Sequence, residues 1–436
     1  MNILLIGHGA REHAIAEALL KNKSANLFSF MKSKNPGIVS LSKNIELGNY
    51  SDLEKIKSFA KKNNADFALI GPEDPLGNGV VDALNEIGIE SIGPTKKLAQ
   101  LESSKSFTRN LLKKYKIDGN PEFMVFNKDN FGEIDDFLNE LGLVVIKPDG
   151  LTAGKGVKVQ GDHFKTKKEA LEYCKEILKT HPAVVVEEKM EGEEFSLQCL
   201  TDGKTVVATP PVQDHKRAFE DDKGPNTGGM GSYSCENHLL PFLKKSHLEK
   251  ALEITKKVAD ALNEETGSYY KGIMYGGFIL TRKGIKLLEY NARFGDPEAM
   301  NVLPILKTDF ASICQSIITQ ELGRIKVDFS KKATVCKYIV PLGYPENPLK
   351  NEKIEINKIP EKAKMYYASV EQRNDGLYMT GSRAVAFLGI GSNLEEAEKI
   401  AEEAAKDVKG RVFHRRDIGT KELIEKRVGH VESFKV

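Results

Sequence analysis

The 436-residue chain carries 64 basic and 62 acidic side chains, is 40% hydrophobic and 29% charged, and holds material for about three globular domains. Its formal net charge of +2 gives no reason to expect nucleic acid as a partner, and no apolar run approaches the roughly 18 residues of a membrane span. Cys174, Cys199, Cys235, Cys314 and Cys336 stand singly, without metal-ligand spacing, so reduced thiols in a cytoplasmic protein are expected, and no targeting peptide is visible before the first strand.

Residues 1–95 alternate strand and helix. Apolar runs at 3–6, 27–30 and 67–70 read as strands, and helical patterns occupy 11–20, 80–87 and a segment that Asp52 can cap. This alternation predicts a parallel, doubly wound sheet with ligands beyond the carboxyl ends of its strands. The first strand ends in Gly7-His8-Gly9-Ala10-Arg11-Glu12, where Glu12 replaces the third glycine of a dinucleotide fingerprint. The second ends in Phe30-Met31-Lys32, with no acid for a ribose hydroxyl. What remains is a helix start at which Gly9 and Arg11 could receive an anion. The next strand end, Gly71-Pro72-Glu73-Asp74, either brings carboxylates to the same crevice or is a turn with surface acids.

Residues 95–114 read as a helix between domains, with Ser103-Ser104-Lys105 inside it. A strand at 121–126 and a helix at 134–141 lead into the stretch 144–160. There a β-branched run, a loop bearing Gly150, Gly154 and Gly156, and an alternating run predict a hairpin with an oversized, flexible tip. The glycines let backbone amides converge on phosphate oxygens without Cβ obstruction, and Lys147 and Lys155 add charge on either side. A Walker A loop is excluded: Gly156 replaces the hydroxyl residue, and a strand follows where that loop opens a helix. A nucleoside triphosphate is the expected occupant; a plain flexible tip is the bland alternative.

After a helix at 167–179, a buried strand ends in Glu187-Glu188 and a second begins at Glu193-Glu194. Beside a triphosphate, such an end can offer backbone groups to a purine and a carboxylate to ribose; elsewhere it is merely solvated. Asp214-His215-Lys216-Arg217 precedes Gly224-Pro225-Asn226-Thr227-Gly228-Gly229-Met230-Gly231, a polar loop too costly to order without a task. A helix at 247–263 follows, then strands at 274–280 and 285–290 that form a hairpin turned at Arg282-Lys283-Gly284. Glu289 and Asn291 are two apart and share a face, where hard oxygen ligands fit a magnesium ion completed by phosphate and water. Arg293 continues that face and could hold a carboxylate or a transferring phosphoryl group. Taken alone, the same residues also make a capped, salt-bridged strand end. From about Lys326, Pro341, Pro345, Pro348 and Pro360 punctuate what reads as a separate α+β module, a third wall of the site.

Six segments, in order, carry a resemblance: Gly7 to His13, 149–157, Asp214 to Arg217, 224–231, Glu289-Tyr290-Asn291-Ala292-Arg293-Phe294-Gly295-Asp296-Pro297-Glu298, and Arg416-Asp417-Ile418-Gly419. They resemble the phosphoribosylamine–glycine ligase (GAR synthetase) family of the ATP-grasp superfamily over residues 7–419. The resemblance implies a multidomain α/β and α+β fold: a doubly wound domain over 1–102 on the phosphoribosylamine side, an ATP-grasp domain over 103–325 with a flap at about 120–190, and a small α+β domain over 326–436. It implies the second step of purine synthesis, in which ATP, glycine and 5-phosphoribosylamine give glycinamide ribonucleotide, ADP and phosphate through a glycyl phosphate. ATP and Mg²⁺ or Mn²⁺ are the implied cofactors of a cytoplasmic monomer or dimer, without nucleic-acid or membrane partners.

Carried over, Lys105 and Lys147 are nucleotide lysines, while Asp149, Gly150, Gly154, Lys155 and Gly156 cover the phosphates. Glu187 and Glu188 lie at the adenine hinge, Glu194 faces ribose, and Glu289 and Asn291 hold metal. Arg293, Lys147 and Asp214 are the catalytic candidates. Asp214, Gly228, Gly229 and Arg293 fall near glycine, and Gly9, Glu73 and Arg383 are candidates for phosphoribosylamine. Lys189-Met190 departs from the aromatic and leucine usual at the hinge. Another ATP-grasp ligase would differ in the first crevice and the 224–231 loop, and a dinucleotide oxidoreductase would rest on Gly7 and Gly9 alone.

Overall fold

The computed structural model describes residues 1–151, 156–357 and 359–434, so Gly154 and Lys155 lie outside the described residues. Its amino-terminal sheet is fully parallel, in the order Asn44–Leu47, Asn26–Met31, Asn2–Ile6, Phe67–Ile70, Glu90–Ile92. Strand order reverses between Asn2–Ile6 and Phe67–Ile70, which opens a crevice at Gly7 and Gly71. The outer strands Asn44–Leu47 and Glu90–Ile92 escape the sequence reading because they are four and three residues long, too short for an alternating pattern to show.

The helix expected over 95–114 is broken. Gln100–Ser103 and Lys105–Lys114 meet at Ser104, whose hydroxyl accepts the Phe107 amide at 3.1 Å and caps the second helix. Lys105 therefore opens a helix, with its side chain free to leave the helix axis.

The flap is an antiparallel sheet ordered Phe123–Phe126, Val184–Glu188, Val144–Pro148, Lys158–Val159. Helices Ile134–Glu140 and Lys167–Thr180 cover it, enclosing a separate core that includes Phe126, Ile146, Cys174, Ile177 and Val186. A second antiparallel sheet, ordered Val206–Ala208, Glu193–Thr201, Gly272–Thr281, Gly284–Asn291, forms the platform beneath, backed by the long helix Lys245–Thr266.

The carboxyl-terminal quarter, the α+β module expected from composition, extends a sheet begun in the preceding domain. One sheet runs Gln213–Asp214, Gly231–Ser234, Ala333–Pro341, Val385–Gly391, Ala363–Tyr367, so strands from both sides of residue 326 share a ladder. Gly231, at φ +155°, makes this pairing possible, since a Cβ there would lie 2.2 Å from the Cys336 carbonyl oxygen. The 214–231 loop is partly ordered as a small hairpin, Arg217–Phe219 with Lys223–Asn226. Among the described residues, no helix is long and apolar enough to cross a membrane, and all five cysteines are free and buried.

Candidate active site

The platform strand Gly284–Asn291 carries the chemistry, and a bulge aims it. Gly277 pairs with Glu289 while Phe278 pairs with Leu287, so Leu288 is the extra residue. Ile285, Leu287 and Tyr290 are buried in the core, and Glu289 and Asn291 come out together on the other face. Strict alternation from Ile285 and Leu287 would have sent Glu289 inward.

Four cations surround Glu289. Burial works to raise its pKa, but Lys216, Lys147, Lys105 and Arg293 together hold it below the ordinary range. Among the described residues no cation lies within ion-pair distance, so the carboxylate faces a positive field without a committed partner. Asn291 Oδ1 accepts weakly from Arg293 at 3.5 Å. Burial, with Lys147 nearby and against the pull of Glu289, keeps Lys105 below the usual lysine range.

Lys147 is held from two sides, by Glu187 at 2.8 Å and by the Leu288 carbonyl at 3.2 Å. Glu187 also takes Arg109 through both oxygens, at 2.6 and 2.9 Å. Arg109 in turn donates to the Leu287 and Leu288 carbonyls at 3.0 and 2.7 Å, tying helix, flap and platform together around the bulge. Burial opposes the charge on Glu187, but Arg109 and Lys147 bring its pKa down to about 2. The Glu187 carboxylate is thus turned inward, leaving only its backbone to a hinge, and Glu188 accepts the Glu122 amide at 3.0 Å.

Asp149, expected over the phosphates, instead anchors the neighbouring helix. It accepts from the Ser106 amide at 3.1 Å and from the Ser104 and Ser106 hydroxyls at 3.2 and 2.5 Å. Lys105 reaches back to the Gly150 carbonyl at 2.8 Å, so the first turn of that helix and the start of the glycine loop fix one another. At the other end of the loop, Gly156 (φ +99°) presents its carbonyl to the Tyr173 hydroxyl at 2.7 Å. Glu194 is half-exposed and paired with Lys216 at 3.3 Å.

Asp214 stands on the shared sheet with Oδ1 buried and, among the described residues, without a hydrogen-bond partner. Burial and the adjacent Glu298 push its pKa well above the carboxylate range, against Lys216 and Arg383. Gly229, at φ +108°, leaves room for it: a Cβ there would sit 2.6 Å from that oxygen. Arg383 does not point to an open crevice. It donates to the carbonyls of Gly228, Gly229 and Asp296 at 2.6, 3.1 and 3.0 Å, pairs with Asp296 at 3.1 Å and lies over the Tyr338 ring, so it shapes the loop.

At the amino-terminal crevice the protein supplies its own anion. Glu12 accepts the Gly9 amide at 2.5 Å and Arg11 at 2.6 Å, filling the helix start that the sequence left open to a ligand. A Cβ at Gly7 or Gly71 would lie 2.3 Å from Glu12 Cγ, so these glycines make space for a side chain. Gly9 and Arg11 are therefore not a free anion seat, and a dinucleotide cannot occupy this turn. Glu73, in the same crevice, lies 3.2 Å from Arg293 and 4.0 Å from Arg11; burial opposes its charge, yet the two arginines bring its pKa to about 2.

Arg109, Lys216, Glu298 and Glu102, the last 3.0 Å from Arg293, also build the site without being sequence candidates. Lys216 and Glu298 lay inside quoted motifs, whereas nothing near Arg109 or Glu102 in sequence announces a site. Together Lys105, Lys147 and Lys216 can neutralise a polyphosphate, and the ionised Glu289 can hold a cation beside it. The buried, unpartnered Asp214 oxygen suits a small ammonium group.

The chain matches "Phosphoribosylglycinamide synthetase, N domain" over residues 1–102, the ATP-grasp (A) domain over 103–299 and the C domain over 334–421. It is 53% identical to the phosphoribosylamine–glycine ligase of Methanocaldococcus jannaschii, over 98% of each chain. With that of Pyrococcus furiosus it shares 49% identity, over 100% of this chain and 98% of the other. A crystal structure of phosphoribosylamine–glycine ligase from Thermotoga maritima superposes with a TM-score of 0.80 at 28% identity, covering 96% of this chain and all of that one. A biotin carboxylase domain from Hydrogenobacter thermophilus, solved with MgADP, shares the fold at TM-score 0.74 and 15% identity, over 100% and 97% of the two chains.

Proposed function

The chain belongs to the phosphoribosylglycinamide synthetase family, and on that premise we infer that it joins glycine to phosphoribosylamine at the expense of ATP, in purine synthesis. The observation that supports the residue assignments is the set of four cations, Lys147 on the flap with Lys105, Lys216 and Arg293, that hold Glu289 ionised. Phosphoryl transfer asks for positioning and charge neutralisation more than for an acid or base, and this cleft supplies both.

ATP lies between flap and platform, with the loop amides, Lys105 and Lys147 on its phosphates and the backbone at Glu187 and Glu188 beside the base. Glu194, released from Lys216, reaches the ribose. An ATP-grasp ligase works with a divalent metal, and the donors here fit one: a carboxylate held ionised and an amide oxygen, both hard, on one face. Glu289 and Asn291 would hold it, and it would supply charge for the β- and γ-phosphates; Mg²⁺ is the ion we assign.

Glycine binds with its ammonium group on Asp214, under Gly228 and Gly229, and its carboxylate towards Arg293. A glycine carboxylate oxygen attacks the γ-phosphorus, the bond to the bridging oxygen breaks, and ADP departs with that electron pair. The amine of phosphoribosylamine, entering past Glu73, attacks the carbonyl carbon of the resulting glycyl phosphate. The carbon–oxygen bond to phosphate breaks, inorganic phosphate leaves, and the nitrogen gives up a proton. Arg383 keeps the 228–229 turn in place and Lys147 steadies the charge transferred. In this reading 1–102 serves phosphoribosylamine, 103–325 serves ATP, and 326–436 closes the glycine side of a cytoplasmic enzyme. The assay is ADP release by the purified protein: release beyond one equivalent per enzyme should require glycine and phosphoribosylamine together, and sustained turnover with either alone would refute the reading.

A further inference from the structure

Arg293 is gripped by two carboxylates that differ in how firmly they hold it. Glu102 approaches its terminal nitrogen at 3.0 Å, is only 7% exposed, and is itself pinned by accepting the Ala292 amide at 2.7 Å. That amide belongs to the residue between Asn291 and Arg293, so Glu102 fixes the backbone and the guanidinium together. Glu73 differs on each count. Its oxygen is 3.2 Å from Arg293 Nε, an ion pair without the backbone amide that anchors Glu102. The Glu73 side chain is 29% exposed, and its other cation, Arg11, is 4.0 Å away and already committed to Glu12 and the Phe294 carbonyl.

We propose that Glu102 is the permanent partner that positions Arg293, and Glu73 an exchangeable one that a substrate carboxylate displaces. This rests on the reading that a small carboxylate binds at Arg293. Coulomb attraction favours one anion close to the guanidinium, and two carboxylates already share it, so a third cannot be added without repulsion. The loosest is the one that leaves. Glu73 then turns into the amino-terminal crevice, where it gains acceptor capacity for the hydroxyl and amine donors of the second substrate. The two substrate sites are thereby coupled: glycine at Arg293 readies the phosphoribosylamine site through a single carboxylate.

The test uses the full chain with Mg²⁺ and a non-hydrolysable ATP analogue, and measures glycine affinity by calorimetry. Glu73→Gln keeps the shape but removes the competing charge, so glycine should bind about fivefold tighter or more, while KM for phosphoribosylamine rises. In the wild-type protein saturating glycine should lower KM for phosphoribosylamine by a similar factor, and Glu73→Gln should erase that dependence. Glu102→Gln should instead raise KM for glycine by about tenfold, leave KM for ATP unchanged, and be partly rescued by Glu102→Asp. Glycine affinity that is unchanged or weaker in Glu73→Gln overturns the proposal. Wild-type protein that does not bind glycine at all overturns the functional reading beneath it, so the two failures are distinguishable.

Discussion

Arg109 grips Glu187 through both carboxylate oxygens, at 2.6 and 2.9 Å, with neither side chain more than 3% exposed. A bidentate pair out of water is costly to break from one side, because the survivor stays buried and charged. Arg109→Met leaves Glu187 with Lys147 alone, takes one of two donors from the Leu288 carbonyl and removes the side-chain donor on the Leu287 carbonyl. We expect a loss of about 3–5 kcal/mol in unfolding free energy, read from denaturant melts. Activity should fall too, since Lys147 loses its fixed geometry.

Glu289 balances four cations, so removing it leaves them repelling one another and would take from the proposed metal site its one carboxylate. Glu289→Ala should lower ADP release by about 10²–10³ with an unchanged far-ultraviolet spectrum. Chelation of divalent metal should stop turnover in the wild-type enzyme, and Mg²⁺ should restore it. Residual activity within tenfold of wild type would remove Glu289 from the site.

Gly229 gives Asp214 its space. With φ at +108° and a prospective Cβ 2.6 Å from Asp214 Oδ1 and 2.7 Å from Pro297 Cδ, Gly229→Ala must displace the loop. A shift of this size at a binding group costs about 10² in kcat/KM. We expect that loss for glycine, together with a lower melting temperature, because Gly229 is buried and at a φ that an alanine adopts only with strain.

His215 sits fully buried with neither ring nitrogen hydrogen-bonded among the described residues, and burial, with Arg415 beside it, brings its pKa down to about 3 from 6.5. The unfolded chain takes up a proton below about 6.5, whereas the folded one resists until about 3. Between those values the unfolded state binds one proton more, so stability rises with pH by about 1.4 kcal/mol per unit from this group. The contribution is intact above pH 6.5 and drains away as pH falls towards 3. His215→Phe should flatten the dependence of unfolding free energy on pH by one proton over pH 4–6, measured by denaturant titration.

The parallel sheet and the flap hairpin were legible because their apolar runs are short, β-branched and separated by helical periods. The pairing of Glu289 with Asn291 was legible from their spacing of two. Which face they share was not, since the alternation of Ile285 and Leu287 points Glu289 into the core until Leu288 bulges. The inward turn of Glu187 depends on Arg109, 78 residues away in the chain, and no local pattern announces it. Glu12 was visible as a missing glycine, but only the folded turn shows that its carboxylate takes the place of a ligand's phosphate. In each case the sequence reveals which groups are present, and long-range partners decide which remain available.

The ladder that joins Gly231–Ser234 to Ala333–Pro341 makes the boundary near residue 326 a poor place to cut. Truncation there would strip one whole side from Gly231–Ser234, baring a row of amides and carbonyls along a strand that is buried throughout. Naked edges of that kind recruit other chains. The first three quarters of this polypeptide would then meet one another before they met any nucleotide, so solubility as well as catalysis is written across the full length.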